Sequence, residues 1–282
     1  MAGIDAHQHY WQPARGDYDW MPKDDVTLAR VYRPADLAPH LARHEIGATV
    51  LVQAAATVAE TEYLLGIADA TDSVAGVVGW VDFENPGDIH NLERLAKHPK
   101  FLGVRPMIQD IVDVNWMLRD DVQWGFRAIC DLDLTLDALG FPRHLANFQT
   151  LLTRFPAMRV VLDHCMKPQI RDHPDDPTLF RDWADGIARL ADTTGVFCKF
   201  SGLVSEANPD WTIDDLRPCA DHVLDRFGAD RVMWGSDWPV CRMQASYDIW
   251  HRTARQLTAH LSAQENAAVF ATTAARFYRL PL

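Results

Sequence analysis

The segment Ile4-Asp5-Ala6-His7-Gln8-His9 decides how the rest of the chain is interpreted. It is typical of a β-strand, in which side chains at every second position point to the same side. The imidazoles of His7 and His9 therefore converge, and two converging imidazoles are a common part of a site for a divalent metal. A His-X-His pair also arises by chance, so its meaning depends on the remaining sequence.

The far end of the chain carries a second strand-like segment that ends in an acidic residue. In Arg231-Val232-Met233-Trp234-Gly235-Ser236-Asp237-Trp238-Pro239, an apolar run leads to Asp237, and loop residues follow. In a barrel of parallel strands, the carboxyl ends of all strands meet at one face. We therefore expect His7 and Asp237 to lie within side-chain contact across the barrel mouth.

Strand-like and helix-like segments alternate from end to end, and no low-complexity linker divides them. Most strand candidates are continuous runs of Val, Leu and Ile, which is typical of parallel strands covered on both faces. The predicted strands are Gly3–His9, Ala48–Ala55, Val74–Phe83, Phe101–Met107, Leu132–Leu139, Arg159–His164, Gly195–Ser201 and Arg231–Asp237. The predicted helices are Pro34–Glu45, Ala59–Ala70, Pro86–His98, Trp116–Ile129, Pro142–Phe155, Pro177–Thr194, Ile213–Phe227 and Tyr247–His260.

This alternation predicts an α/β fold, a (β/α)8 TIM barrel formed by residues 1–282 as a single domain, with an extra C-terminal helix, Ser262–Tyr278. The alternative is an open doubly wound sheet, which is disfavoured because no Gly-X-Gly-X-X-Gly turn follows the first strand. The segment His9–Arg33 is long for a loop and rich in aromatic residues. It predicts either a functional loop at the catalytic face or aromatic side chains that only pack onto the barrel.

Composition narrows the classes of partner. The formal net charge of −12 argues against nucleic acid and anionic membranes, because both need a basic face. The five cysteines are scattered without a Cys-X-X-Cys pair, so we expect reduced thiols rather than a disulfide framework. We expect neither a signal peptide nor a membrane span, and hence a cytoplasmic protein. The sequence makes no prediction about the oligomeric state.

Ionisable residues gather at the carboxyl ends of the predicted strands, where barrels carry their active sites. Such residues are rare in buried strands unless they are paired or bound, so their number predicts a site. For His164 the alternative is an ordinary core histidine that donates to a carbonyl. For Arg105 and Lys199 the alternative is simple ion pairing with aspartates. The full set is His7, His9, Arg105, Asp137, His164, Lys167, Lys199 and Asp237, and the aspartates available for pairing are Asp5, Asp137 and Asp163.

Five motifs in order along nearly the whole chain resemble one known family. The chain is similar to the sugar lactonases of the amidohydrolase superfamily, in its second, mononuclear branch, typified by L-fuconolactonase and L-rhamnonolactonase. The motifs are Asp5-Ala6-His7-Gln8-His9 with Trp11, Gly103-Val104-Arg105, Leu162-Asp163-His164 with Lys167-Pro168, Cys198-Lys199-Phe200-Ser201-Gly202-Leu203, and Met233-Trp234-Gly235-Ser236-Asp237-Trp238-Pro239-Val240.

The resemblance implies one metal site and argues against two. It implies a divalent ion, zinc before others, and the branch includes lactonases thought to work with one metal or none. Binuclear relatives place a histidine on the strand after His164, whereas this chain has Lys199 there. The implied ligands are His7, His9, His164 and Asp237.

The resemblance also implies hydrolysis of a small-molecule sugar lactone. Asp237 is then the general base, and His164 helps to stabilise the developing oxyanion. The implied substrate-binding residues are Arg105, Lys167, Lys199 and Trp11. Two alternatives stay open: a metal-dependent non-oxidative decarboxylase of the same branch, and a non-catalytic barrel that binds a sugar acid.

Overall fold

The computed structural model describes residues 2–280. Its eight strands are all parallel and pair in sequence order, β1 with β2 and onward to β7 with β8. The TIM barrel predicted from the sequence is confirmed. The strands are β1 Gly3–Gln8, β2 Ile46–Val52, β3 Val74–Gly79, β4 Phe101–Val104, β5 Thr135–Ala138, β6 Arg159–Leu162, β7 Phe197–Phe200 and β8 Val232–Trp234.

Helices connect consecutive strands and cover the outside of the barrel. Several begin at side-chain caps, such as Thr57, whose hydroxyl accepts the backbone N–H of Glu60 at the start of α2. The α-helices are α1 Pro34–Arg43, α2 Val58–Asp69, α3 Ile89–Leu95, α4 Gln123–Asp131, α5 Leu145–Arg154, α6 Pro177–Thr193, α7 Ile213–Phe227, α8 Tyr247–Leu257, α9 Ala263–Ala267 and α10 Thr273–Tyr278, with a π-helical turn Ala268–Thr272 between the last two.

Several predicted boundaries were wrong. All eight strands end before the predicted residue, including the four that were expected to end at a polar residue, namely His9, His164, Ser201 and Asp237. His164 and Asp237 instead adopt left-handed backbone angles, each with φ of 54°, which a strand cannot accommodate. The predicted helix Trp116–Ile129 begins only at Gln123, because short 3₁₀ turns precede it. The catalytic face is therefore built from the last residues of the strands, such as His7, and from loop residues just beyond them.

The barrel closes where the first and last strands meet. The backbone N–H of Asp237 donates to His7 O at 2.8 Å, and that of His9 donates to Trp238 O at 2.7 Å. The buried Asp5 carboxylate reinforces this seam by accepting the N–H of Ser236 at 2.8 Å. Burial raises the pKa of Asp5 to about 6 against the opposing effect of these hydrogen bonds.

Apolar packing forms two layers on either side of the sheet. The larger layer lies between the strands and the outer helices. The smaller one fills the barrel interior, where strand residues such as Val50 and Met233 pack against Ala274 and Phe277 of α10. Because the segment also contacts the starts of the strands, for instance through Thr273 Oγ1 to Ala229 O at 2.9 Å, the C-terminal helix closes the end of the barrel opposite the catalytic face.

The long segment after β1 folds over the catalytic face. Trp11 and Tyr32 pair their backbones as an antiparallel bridge, and the side chains of both are buried together with those of Tyr10 and Tyr18. Trp20 differs, since 40% of its surface is exposed and its ring lines the cavity described below. The packing interpretation thus holds for most of the loop, and Trp20 remains available to a ligand.

The structure also describes the pairing of the cysteines and the length of the helices. All five cysteines are free thiols. Among residues 2–280, no helix combines the length and apolar character needed to cross a membrane.

Candidate active site

Three imidazoles surround one carboxylate at the mouth of the barrel. The Nε2 atoms of His7, His9 and His164 lie 3.8, 3.3 and 3.9 Å from Asp237 Oδ1. All four side chains are buried, Asp237 being 4% exposed. The structure therefore brings together the four residues that the sequence proposed as ligands. His7 belongs to β1, and the other three lie just beyond β1, β6 and β8.

The second nitrogen of each imidazole is held by a group behind it. His9 Nδ1 lies 2.7 Å from Val52 O and must donate, because a carbonyl only accepts. Its Nε2 is then an unprotonated acceptor that faces Asp237. His164 Nδ1 lies 2.9 Å from Ser201 Oγ, so the core-histidine alternative, donation to a carbonyl, does not apply. Such outer contacts fix imidazole orientation in metal sites.

Two glycines allow the histidines to approach the neighbouring strands. A Cβ atom on Gly202 would lie 2.6 Å from the Cβ of His164, and Gly202 also has a φ of +70°. A Cβ on Gly235 would lie 2.7 Å from the Cβ of His7. These distances are shorter than side chains tolerate, which explains glycine in the Ser-Gly-Leu and Trp-Gly-Ser-Asp motifs.

His164 lies on an uncommon backbone turn. The four residues His164–Lys167 all have φ between 50° and 58°, a left-handed conformation that costs roughly 1–2 kcal/mol per residue outside glycine. The turn directs both His164 and Lys167 into the same cavity. Backbone strain at such a place is typical of functional sites.

Burial and the mutual proximity of these groups set their protonation. Burial alone would raise the pKa of Asp237, but His164, His9 and His7 outweigh it and hold that pKa well below the usual range. Burial lowers the pKa of His164 to about 4 and also lowers those of His7 and His9. At neutral pH the site thus contains a carboxylate and neutral imidazoles, the forms that bind a metal.

The same geometry fits one divalent ion. Ligand atoms about 2.0–2.1 Å from a tetrahedral zinc lie about 3.4 Å apart. The observed spacing is 3.1 Å between His7 Nε2 and His9 Nε2 and 3.3–3.9 Å from the imidazoles to Asp237 Oδ1. His7, His9 and Asp237 are close enough to share an ion, as are His7, Asp163 and His164. No cysteine belongs to either group.

A cavity of about 330 Å³ opens above this centre. Its wall combines aromatic side chains with charged and amide side chains. Trp11 is fully buried and its indole N–H donates to Leu28 O at 3.0 Å, so Trp20 is the tryptophan with exposed surface. The lining residues are His9, Trp11, Trp20, Ala54, Arg105, Met107, Gln109, Asp110, Leu139, His164, Lys167, Asp237 and Val240.

Two cationic side chains reach the cavity. Arg105 Nη1 lies 3.4 Å from both Asp163 Oδ2 and His7 Nε2, while its Nε has no partner among the described residues. Lys167 Nζ donates to Gln109 Oε1 at 2.6 Å. Arg105 and Lys167 were both predicted from the sequence to bind substrate, and both line the cavity.

Lys199 does not line the cavity. It is fully buried and pairs with Asp137 Oδ2 and, at 3.1 Å, with Asp163 Oδ1. Its Nζ also lies 3.0 Å from His7 Nδ1. Lys199 was expected to contact the substrate directly. Instead it forms ion pairs with aspartates beneath the cavity, which was the alternative for this residue.

Gln109 and Asp110 also line the cavity, although they were not predicted from the sequence. They follow Arg105 by four and five residues, on the loop after β4. A barrel places such loops at the catalytic face, so their position after a predicted strand was the available signal.

Glu60 is a further buried acid near the cavity. Its carboxylate accepts the N–H groups of Ala54, at 3.0 Å, and Ala55, at 2.8 Å. Ala54 O in turn accepts Trp20 Nε1 at 2.6 Å. Burial raises the pKa of Glu60 from 4.5 to about 7, although these hydrogen bonds oppose the shift.

We expect Glu60 to make the free energy of unfolding depend on pH. Because the folded state binds the proton more tightly, stability is highest at low pH and falls as pH rises from about 4.5 through about 7. Glu60→Gln should remove this pH dependence, which changes the free energy of unfolding by at most about 3 kcal/mol over the whole range. Urea unfolding between pH 5 and pH 8 measures it, with exposed Glu62→Gln on the same helix as control; equal slopes for wild type and Glu60→Gln would contradict the assignment.

The chain is similar to known amidohydrolases over nearly its whole length. The family model for amidohydrolases matches residues 4–280. L-fucono-1,5-lactonases of Burkholderia ambifaria and Burkholderia multivorans are each 39% identical, over 98% and 99% of this chain and 95% and 96% of their own lengths. An amidohydrolase from Burkholderia multivorans is 36% identical with complete coverage of both chains, and its crystal forms with HEPES and with zinc give TM-scores of 0.94 and 0.92. The chain therefore belongs to the amidohydrolase family.

Proposed function

We propose that this protein hydrolyses a sugar lactone, with L-fucono-1,5-lactone as the first candidate. The observation that carries the proposal is an ionised Asp237 at the floor of a cavity, in a chain 39% identical to L-fucono-1,5-lactonases over nearly its whole length. A cavity of about 330 Å³ lies at the lower end of typical small-ligand sites, which suits a monosaccharide-sized molecule.

The chain's own residues account for the proton transfers. Asp237 Oδ1 faces the imidazoles, and Oδ2 makes no hydrogen bond within residues 2–280, so it can accept a proton from the attacking water. The same carboxyl group can return that proton to the ring oxygen as the carbon–oxygen bond breaks. Because His164 is neutral at pH 7, positive charge for the developing oxyanion comes from Arg105 and Lys167.

We propose zinc as the metal of this site, since it is the ion bound in one of the related crystal structures. His7, His9, His164 and Asp237 would hold it. When bound, zinc supplies Lewis-acid stabilisation of negative charge on the lactone carbonyl.

The cavity wall matches the two faces of a sugar. Trp20 offers an aromatic surface to C–H groups, and the fully buried Trp11 packs against it with ring centroids 5.6 Å apart. Gln109, Asp110 and Lys167 offer donors and acceptors to hydroxyl groups. We propose that these contacts set the sugar preference. Cytoplasmic location and the absence of nucleic-acid and membrane partners stay predictions.

The test is turnover of L-fucono-1,5-lactone, followed by proton release after subtraction of spontaneous hydrolysis. We expect ring opening by the wild type and a value near the spontaneous rate for Asp237→Asn. A panel of aldonolactones and aromatic carboxylic acids, with metal analysis of the same samples, accompanies it. Carbon dioxide release from an acid, without turnover of any lactone, would replace this proposal with the decarboxylase alternative.

A further inference from the structure

The C-terminal helix reaches into the barrel from the end opposite the cavity. Tyr278, the last residue of α10, packs in the interior cluster and is 3% exposed. Its hydroxyl donates to Asp137 Oδ2 at 2.8 Å. Burial, and then the neighbouring Asp137, raise the pKa of Tyr278 well above its usual value, so the phenol keeps its proton and remains a donor. Nothing in the reaction described above uses this residue.

Asp137 passes the contact on toward the catalytic face. The same Oδ2 atom accepts a hydrogen bond from Lys199 Nζ. That Nζ lies 3.0 Å from His7 Nδ1 and 3.1 Å from Asp163 Oδ1. All of these side chains are fully buried. A continuous series of contacts therefore joins the C-terminal helix to an imidazole that faces Asp237.

The arrangement leaves few other groups to hold Asp137. Its Oδ1 has no hydrogen-bond partner within residues 2–280, so Tyr278 and Lys199 fix the carboxylate through one oxygen. Lys199 Nζ donates to Asp137 Oδ2 and lies 3.0 Å from His7 Nδ1 and 3.1 Å from Asp163 Oδ1, so these three side chains together surround the ammonium group. Because the direction of Nζ depends on where Asp137 lies, a change at Tyr278 is transmitted to His7.

We propose that Tyr278 is a positioning residue for the active site, acting through Asp137 and Lys199 to hold the His7 imidazole in place. The C-terminal helix is then part of the catalytic apparatus and not only a cover for the barrel. The inference deepens the proposed lactone hydrolysis, on which its kinetic readout rests. Its structural readout is independent of any substrate.

Tyr278→Phe removes a single oxygen atom and keeps the ring that fills the interior. We expect the ¹⁵N resonances of the His7 imidazole to shift in long-range ¹H–¹⁵N spectra of histidine-labelled protein, with His7→Gln identifying the signals. We also expect kcat to fall about tenfold with KM nearly unchanged, and zinc affinity to fall by a similar factor, the lower end of what outer-shell changes cause. Asp137→Asn, which keeps the shape of the carboxylate, should shift the same resonances.

The matched control is Thr273→Val on the same helix. Thr273 is also buried and donates its hydroxyl to a backbone carbonyl, Ala229 O, outside the series of contacts. It should leave the His7 resonances and kcat as in the wild type. Unchanged His7 resonances in Tyr278→Phe, or an equal change in Thr273→Val, would overturn the proposal. If no lactone is turned over, the His7 spectra still decide it, so the two failures are distinguishable.

Discussion

Replacing Asp237 by asparagine should lower kcat on the substrate lactone by about a hundredfold to ten-thousandfold. The amide has nearly the same shape as the carboxylate but cannot accept a proton from water. Its effect on folding should be small by comparison, because the backbone N–H of Asp237 to His7 O, which closes the barrel, is retained. Steady-state kinetics by proton release measure the loss, and circular dichroism checks the fold.

Asp110→Asn serves as the control for this experiment. Asp110 lines the same cavity but lies outside the group of imidazoles, so its variant should affect KM more than kcat. Near-full kcat in a folded Asp237→Asn variant would show that water is activated by another group. His164 would then become the leading candidate for the base.

Lys199→Met should be the most destabilising of the substitutions considered. The ammonium group of Lys199 balances the charges of Asp137 and Asp163 in the barrel interior, where all three side chains are fully buried. Removing one partner of a buried ion pair leaves uncompensated charge and typically costs about 3–5 kcal/mol. Urea unfolding at pH 7 measures the difference in the free energy of unfolding.

A second substitution separates lost charge from lost packing. Adding Asp137→Asn to Lys199→Met removes one stranded carboxylate and should restore part of the stability. Exposed Lys97→Met provides the comparison and should change stability by no more than about 0.5 kcal/mol. If Lys199→Met unfolds at the same urea concentration as Lys97→Met, the buried network contributes little to stability.

Much of the fold could be predicted from the sequence because its signals are local. Continuous Val, Leu and Ile runs such as that of β2 mark buried parallel strands, and proline at the start of α1 or α6 marks helix entry. Strand ends were predicted too late, since the left-handed angles of His164 and Asp237 depend on contacts across the barrel. Residue type alone does not reveal such angles outside glycine.

Part of the site could be predicted, because ionisable side chains are seldom buried unless they are paired or bind a ligand. Histidines and an aspartate at strand ends, such as His7 and Asp237, have few other uses in a buried place. The sequence could not separate Lys199, which is buried beneath the site, from Lys167, which reaches the cavity. Lys199 lies near the end of β7 and Lys167 shortly after β6, and only the register of β7 and the turn after β6 distinguish their positions. Tyr278 gave no signal, because its partner lies 141 positions away.

The seam between β8 and β1 has a consequence for how the protein is made. His7 and His9 are separated from Asp237 by more than two hundred residues along the chain. The nascent chain therefore cannot assemble its catalytic centre until β8 and Asp237 have been synthesised, and contacts of this sequence separation slow folding. A circular permutant that links residue 280 to residue 2 and opens an outer loop would bring these residues close along the chain, and should acquire its active site earlier during synthesis.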